Sequence, residues 1–534
     1  MFPCRSSRDG VAGSTSSRLD AANAHGGVGS EREAVCCRGI ALAKATKQGE
    51  TNIGESQRLD STGEPGERTS SSGPGGGKRD VGIMDRHRET RQMPSNLRNE
   101  DVSTKRRRIA RLAKLSPEMG FTSLNHLIDM DWLREAFRLT RKSGAPGVDG
   151  QTAKEYEANL EENLQSLLQR AKTGTYRAPP VRRKHIPKGT GTETRPIGIP
   201  TFEDKVLQRA VVMLLEPIYE QDFHDGSYGF RPGRSPHDAM DALWKETMRM
   251  GGGWILEVDL RKFFDTLAHP HLRDFLSRRI RDGVVRRLIG KWLKAGVMED
   301  GSISYPDSGS PQGGCISPIL ANIYLHYVLD TWFEETVKPR LPGSAKLIRF
   351  ADDFVIVFSN REAALQVMEM LPARFGEYGL SVHPDKTRQG DFRHPSHTGR
   401  AQDGRPEPDT FDLLGFTHYW GKSRAGRWTV KKQTMSRRLT RAVQAIYHWC
   451  RDYRHWPVHE QWQGLCQKVR GHYAYYGVSG NGRMLRNFRH EVRRAWRKWL
   501  DRRNRERTMT WEKFGCLENR YPLPLPQIFL RGNT

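Results

Sequence analysis

No two cysteines in this sequence are spaced as C-x-x-C; the seven that occur, at 4, 36, 37, 315, 450, 466 and 516, are scattered. That argues against a cysteine-rich zinc site and against a disulfide framework, and it fits a reducing compartment. No apolar run approaches 18 residues, so no membrane-spanning helix is expected. The N-terminus has basic residues and serines but no apolar stretch suited to a secretory signal. A transit peptide is left open, with Asp9 and Asp20 weighing against it. A bacterial cytoplasmic protein associated with the nucleoid is the expectation, with organellar import the open alternative. Acidic residues are in deficit: 62 Asp and Glu stand against 87 Lys and Arg, a formal charge of +25. Such an excess calls for a polyanionic partner, nucleic acid or an anionic membrane surface. Residues 1–104 are poor in aromatics and rich in Gly, Ser, Arg and Glu, so they are expected to be disordered. Met84 and Met93 lie just before the first patterned stretch, which makes a mis-assigned start one reading of this segment.

What is present centres on Phe350-Ala351-Asp352-Asp353. Leu347, Ile348 and Phe350 precede the two acids, and Phe354, Val355, Ile356, Val357 and Phe358 follow. This predicts two short strands joined by a tight turn that carries adjacent carboxylates. Asp is also an ordinary turn former. A third acid, Asp259, ends another strand-like run that begins at Trp254. Carboxylates from two neighbouring strand ends can hold two divalent ions about 3.5–4 Å apart for in-line phosphoryl transfer. Mg²⁺ suits such a site, because a few carboxylates and substrate phosphates suffice to hold it.

The length exceeds one ordinary core, so several domains are expected. The run KRRRIARLAK at 105–114 is a basic patch. Helices are expected near 121–142, 153–172, 202–222, 270–281, 361–379 and 485–500, from their apolar spacing. A β-hairpin is expected over 176–200, with Lys188 and Arg195 flanking its tip, within reach of a triphosphate. Two surface cations carry little weight alone. The Gly-rich stretch 309–325 feeds a helix for which Ser317 is the expected N-cap and Pro318 the first helical residue. Short strands are expected at 380–388 and 411–420. From 421 to 510 there are 23 Lys or Arg against 5 Asp or Glu. In 485–500, Leu485, Phe488, Val492, Trp496 and Leu500 recur at helical spacing. Arg486, Arg489, Arg493, Arg494, Arg497 and Lys498 fill much of the remainder, as on a face that meets phosphates. The Pro-rich stretch from Leu517 onward reads as extended.

The ordered strings SGAPGVDG, TRPIGIPTFEDKVLQRA, YGFRPGRS, EVDLRKFFDTL, SPQGGCISPILANIYL, RFADDFVIV, LSVHPDKT and LLGF resemble a reverse transcriptase. The closer resemblance is to reverse transcriptase/maturase proteins encoded by bacterial group II introns, over roughly residues 121–530. Each string is weak alone, and the series is specific. The resemblance implies an α+β right-hand polymerase of fingers, palm and thumb, with a helical basic maturase region as thumb. It implies Asp259, Asp352 and Asp353 as catalytic metal ligands for two Mg²⁺. It implies Phe264 as the steric gate, Gln312 near the incoming nucleotide, and Lys188 and Arg195 at the triphosphate. Lys386 matches a position proposed to protonate the leaving pyrophosphate. The implied divisions are 1–104, a polymerase extension at 105–174, fingers and palm at 175–420, the RNA-binding thumb at 421–510 and a tail at 511–534. The implied partners are intron RNA, an RNA template with DNA primer or target DNA, and dNTPs, with no membrane. Many relatives have Tyr where Phe350 stands, and the aromatic is expected to preserve activity. The stretch after 510 shows no H-N-H endonuclease with paired cysteines, so second-strand cleavage is not expected. The rivals are a domesticated relative in defence or repair, a splicing factor with a vestigial site, and an RNA-dependent RNA polymerase.

Overall fold

The computed structural model describes residues 100–187, 194–299, 301–305, 308–309, 313–397, 408–503, 506 and 508–529. The expectation of disorder over 1–104 falls outside these residues, apart from its last five. Those five already enter order: Asp101 caps helix α1 (Val102–Leu115) by accepting from the Thr104 backbone N–H. Lys105, first of the basic patch, is buried and ion-paired to Asp129.

Helix α2 (Met130–Leu139) starts later than the apolar spacing from Phe121 predicts. Asp129 accepts from Trp132 N–H and sets the start, and residues Asn125–Leu127 make a 3₁₀ turn instead. The next helix is also divided, into α3 (Ala153–Ala158) and α4 (Leu160–Thr173). Thr152 and Glu155 form a capping box at its start. Strands β1 (Val181–Pro187) and β2 (Thr194–Ile199) pair antiparallel, as the hairpin reading expects; the tip lies outside the described residues. Helix α5 (Phe202–Tyr219) is buried almost throughout and runs through the main core. Helix α6 (Pro236–Arg249) follows, capped by Ser235.

Strand β3 (Trp254–Val258) leads into the one-turn helix α7 (Phe263–Thr266), then α8 (His269–Arg279) and α9 (Gly283–Leu293). Strands β4 (Val297–Glu299) and β5 (Ser302–Ser304) extend the first sheet, whose order is β2-β1-β4-β5. Helix α10 (Ser317–Leu325) is capped by Ile316, one residue before the expected Ser317, which is itself helical. Ile316 makes no side-chain cap; its own N–H is directed to Gln208 Oε1 at 3.4 Å. The helix continues through wider π-type turns at His326–Asp330 and Trp332–Val337.

The second sheet has order β6-β7-β3-β8, all antiparallel, from β6 (Ala345–Phe350), β7 (Asp353–Phe358) and β8 (Arg388–Asp391) around β3. Both of its faces are covered. Leu256, Val258, Phe354, Ile356 and Phe358 enter the main core. Ile255, Ile348, Val355 and Val357 enter a second core with Phe392, Phe411 and Trp420. A strand buried on both faces needs a continuous apolar run, which is why 354–358 shows no polar alternation. Helix α11 (Arg361–Glu377) packs on this sheet.

A third sheet, β9 (Phe411–Leu413), β10 (Phe416–Lys422) and β11 (Trp428–Thr434), leads into a helical region. Leu414 and Gly415 both take positive φ, +52° and +83°, and turn β9 back onto β10 as a type I′ hairpin does. Helices α12 (Ser436–Asp452), α13 (Val458–Tyr476), α14 (Gly482–Asp501) and α15 (Trp511–Arg520) enclose a third core around Trp496. Helix α15 takes in Leu517–Arg520, where an extended chain is expected; the Thr510 side chain caps it and Phe514 is buried against Trp496.

Candidate active site

The pairing of β3 with β7 ends at Val258 opposite Phe354, so one step further Asp259 stands across from Asp353. The β6–β7 hairpin closes with Phe350 opposite Asp353, leaving Ala351 and Asp352 as a two-residue turn. Ala351 sits at φ +58° and Asp352 does not share a positive φ. That is the pattern of a type II′ turn, whose first position ordinarily prefers glycine. The three acids expected to act together therefore meet at one end of one sheet.

A strained turn needs bracing, and one buried arginine supplies much of it. Arg349, wholly buried, donates to Asp330 Oδ1 at 2.7 Å and Oδ2 at 2.5 Å. It also donates to Asn322 Oδ1 at 3.1 Å, Ser227 Oγ at 2.8 Å and the Ala351 carbonyl at 3.0 Å. The segment 226–231 lies against the same hairpin. Tyr228 N–H donates to the Arg349 carbonyl and Arg349 N–H to the Gly226 carbonyl, each at 2.8 Å. A Cβ on Gly229 would stand 2.3 Å from Ala351 N, so only glycine allows this approach. The sequence reading missed Arg349, Asn322, Asp330 and Ser227. Its one available signal was a cation inside an apolar strand that has no water to face.

The carboxylates feel one another. Desolvation by the surrounding protein pushes Asp353 up to about 6, although its edge is open to solvent, and Asp352 and Asp259 add to the rise. Desolvation also raises Asp352, against the pull of Arg195 and Arg349. The positive charge of Arg195 is thus felt at both Asp352 and Asp353. Arg438, in the first turn of α12, exerts a similar pull on Asp353 and was not anticipated. Lys386 Nζ lies 3.3 Å from Asp259 Oδ2, in a short 3₁₀ turn anchored by His383 N–H to the Asp259 carbonyl. Phe263 is buried, and its neighbour Phe264 is partly buried, packed against the same core and against the Phe263 ring. Lys188 and Gln312 lie outside the described residues.

Among the described residues, no group of three or more His, Cys, Asp or Glu side chains is arranged to hold a metal ion. The donor set is nonetheless chemically suited to a hard cation. Crowded, mutually repelling carboxylates favour one, and Mg²⁺ takes one or two carboxylates with the rest of its shell from phosphates and water.

The basic face of α14 divides in two. Arg489 and Arg493 pair with Glu518 of α15 at 2.9 and 2.7 Å, and Arg497 donates to the Met509 carbonyl and lies over the Trp511 ring. These three, expected at phosphates, are engaged within the protein because α15 covers them. Arg486, Arg494 and Lys498 are exposed, with Arg494 paired to Glu491.

Comparison with known proteins bears on this geometry. The family described as "Reverse transcriptase (RNA-dependent DNA polymerase)" matches residues 186–418, which contain the three acids. Protein YkfC of Escherichia coli K12 is 36% identical over 321 residues, 54% of this chain and 84% of that protein. Group II intron-encoded protein LtrA of Lactococcus lactis is 46% identical over 167 residues, 31% of this chain and 27% of LtrA. Nuclear intron maturase 2 of Arabidopsis thaliana mitochondria is 27% identical over 237 residues, 37% of this chain and 30% of that protein. The matched stretches thus span under a third of LtrA and of the maturase.

Proposed function

The chain belongs to the group II intron-encoded reverse transcriptases, and from that membership we propose that it copies RNA into DNA at Asp259, Asp352 and Asp353 and binds intron RNA to assist splicing and mobility. The observation that carries the reading is the convergence of these acids at the β3–β7 strand end and its hairpin turn. In this reading the second sheet is the palm of a right-hand polymerase, the β1–β2 sheet belongs to the fingers, and residues 421–510 form the thumb, with 105–174 as an extension.

The reaction joins the primer 3′-oxygen to the α-phosphorus of a dNTP and breaks the bond to pyrophosphate. Asp259, Asp352 and Asp353 would hold two magnesium ions, which when bound supply activation of the hydroxyl and charge neutralisation on the leaving group. Arg195 meets the triphosphate, together with Lys188. Lys386, 3.3 Å from Asp259, would give its proton to the departing pyrophosphate, a role that the family resemblance implies and this proximity supports. Phe264 lies against C2′ of the sugar, and Gln312 contacts the incoming nucleotide. A rigid ring there leaves no room for a 2′-hydroxyl; overpacking of about 1–3 kcal/mol gives roughly 5- to 150-fold selection for dNTPs.

The test is extension of oligo(dT) on poly(rA) with Mg²⁺, comparing dTTP with UTP in wild type and Phe264→Ala. The wild type is expected to prefer dTTP, and the variant to narrow the preference. Absence of dTTP-dependent extension would end the polymerase reading, and equal use of UTP by the wild type would favour an RNA polymerase. In a parallel assay, added protein should accelerate splicing of the cognate intron RNA; no acceleration would end the maturase part.

A further inference from the structure

Four non-glycine residues take positive φ among the described residues, and three of them surround the acids: Phe230 (+56°), Lys262 (+43°) and Ala351 (+58°). Lys262 opens α7 and Ala351 makes the catalytic turn. Phe230 has no such local duty. The residue is 58% exposed, and it costs the fold twice, through a left-handed backbone and through apolar surface left in water.

Both neighbours of Phe230 hold it in this state. On one side, Asn322 Nδ2 donates to the Gly229 carbonyl at 2.6 Å, and Gly229 abuts Ala351 N. On the other, buried Arg231 pairs with Glu220 at 3.0 Å and donates to the His224 and Ser227 carbonyls, each at 2.8 Å. The strain is therefore imposed by a rigid frame. The ring that results lies 6.1 Å from that of Phe350, the residue that begins the catalytic turn. The two aromatics form a shelf beside Asp352 and Asp353.

Sheet order says what the shelf faces. The strands run β6-β7-β3. Phe264, the proposed nucleotide gate, follows β3 on one side of the acids. Phe350 and Phe230 stand at β6 on the other side. A nucleotide seated at Phe264 leaves the β6 side for the strand to which it is joined.

We propose that Phe230 is a primer-contacting residue: its ring packs on the sugar or base edge of the terminal primer nucleotide and holds the 3′-end against the carboxylates. This assignment rests on the polymerase reading. Aromatic surface serves every base alike, as a polymerase requires.

The test uses Phe230→Gly and Phe230→Tyr in the full chain. Glycine relieves the positive φ, so the midpoint of thermal unfolding should not fall. Its affinity for an RNA–DNA primer–template, measured without dNTP, should drop roughly 5-fold or more, as for losing the burial of an apolar ring. Tyrosine keeps the ring and should hold affinity within roughly twofold of wild type. The KM for dNTP at saturating primer–template should move in neither variant. Unchanged affinity in the glycine variant would overturn the assignment. So would a glycine variant that loses thermal stability along with affinity, or a tyrosine variant as weak as glycine. Because affinity is read without chemistry, the two readings separate. A wild type that shows the Phe230 effect yet extends no primer would refute the polymerase reading alone.

Discussion

Replacing Arg349 with Met tests whether the catalytic turn is held from beneath. The guanidinium makes five hydrogen bonds, two of them to Asp330, whose residue surface is 1% exposed. Methionine fills most of the volume and leaves Asp330 a buried carboxylate without its cation. Breaking a buried pair in this way costs about 3–5 kcal/mol. Adding Asp330→Leu removes the orphaned charge and should restore most of that loss, since apolar replacement of a buried pair is often neutral. Activity should behave differently. The Ala351 carbonyl is deprived of its Arg349 donor in both variants. A displacement near 1 Å at the reacting groups costs about 10²-fold in rate. Denaturant unfolding and single-turnover primer extension should therefore separate: stability returns in the double variant and rate does not. A double variant that extends primer at the wild-type rate would refute the positioning argument. One that stays as unstable as Arg349→Met would refute the energetic one.

Burial, with a smaller push from the Asp149 charge, raises the Asp204 carboxyl to about 7, against the hydrogen bond from Trp292. The folded state therefore holds this proton more tightly than the unfolded chain, whose value is near 4. The associated stability is full below about pH 4 and is lost as pH rises through about 7, on the order of 4 kcal/mol in all. Asp204→Asn should flatten that slope in melts from pH 4 to 8; parallel curves would contradict the assignment. On α14, Arg489→Ala with Arg493→Ala strips Glu518 of its partners and should cost roughly 1–3 kcal/mol of stability without altering the salt dependence of RNA affinity. Arg486→Ala with Arg494→Ala and Lys498→Ala should leave melting nearly unchanged and reduce the salt slope, by about 0.7–0.9 for each phosphate no longer neutralised. The reverse outcome in filter-binding titrations would show that α15 moves away to expose the other face.

The sequence made the acid hairpin legible because the strand after the acids is buried on two faces, which writes the unbroken apolar run 354–358, while Leu347, Ile348 and Phe350 mark the strand before them. Asp259 was legible as the acid that ends a strand-like run, Trp254–Val258, which is apolar except for Glu257. Phe263 and Phe264 were separable in principle, since adjacent residues in so short a helix point differently. Other features depend on partners far along the chain. Arg349 reads as one more cation until Asp330, Asn322 and Ser227 surround it. The α14 arginines read as a phosphate face because Glu518 lies 25 and 29 residues further on. The helix carrying Glu518 was hidden by the prolines that follow it. Helix starts moved where a side chain outside the apolar pattern decided them, as Asp129 does for α2.

In the proposed mechanism three carboxylates at one strand end carry nucleotidyl transfer. Asp352→Asn tests it most directly, in single-turnover extension of oligo(dT) on poly(rA) with Mg²⁺, alongside primer–template affinity. An ordinary turn residue so changed would leave the rate near wild type. Removing a metal-holding charge worth ~3–5 kcal/mol of barrier should slow extension roughly 10²- to 10⁴-fold with primer–template affinity retained. A variant that extends primer at nearly the wild-type rate would show that Asp352 is a turn former and not a metal ligand.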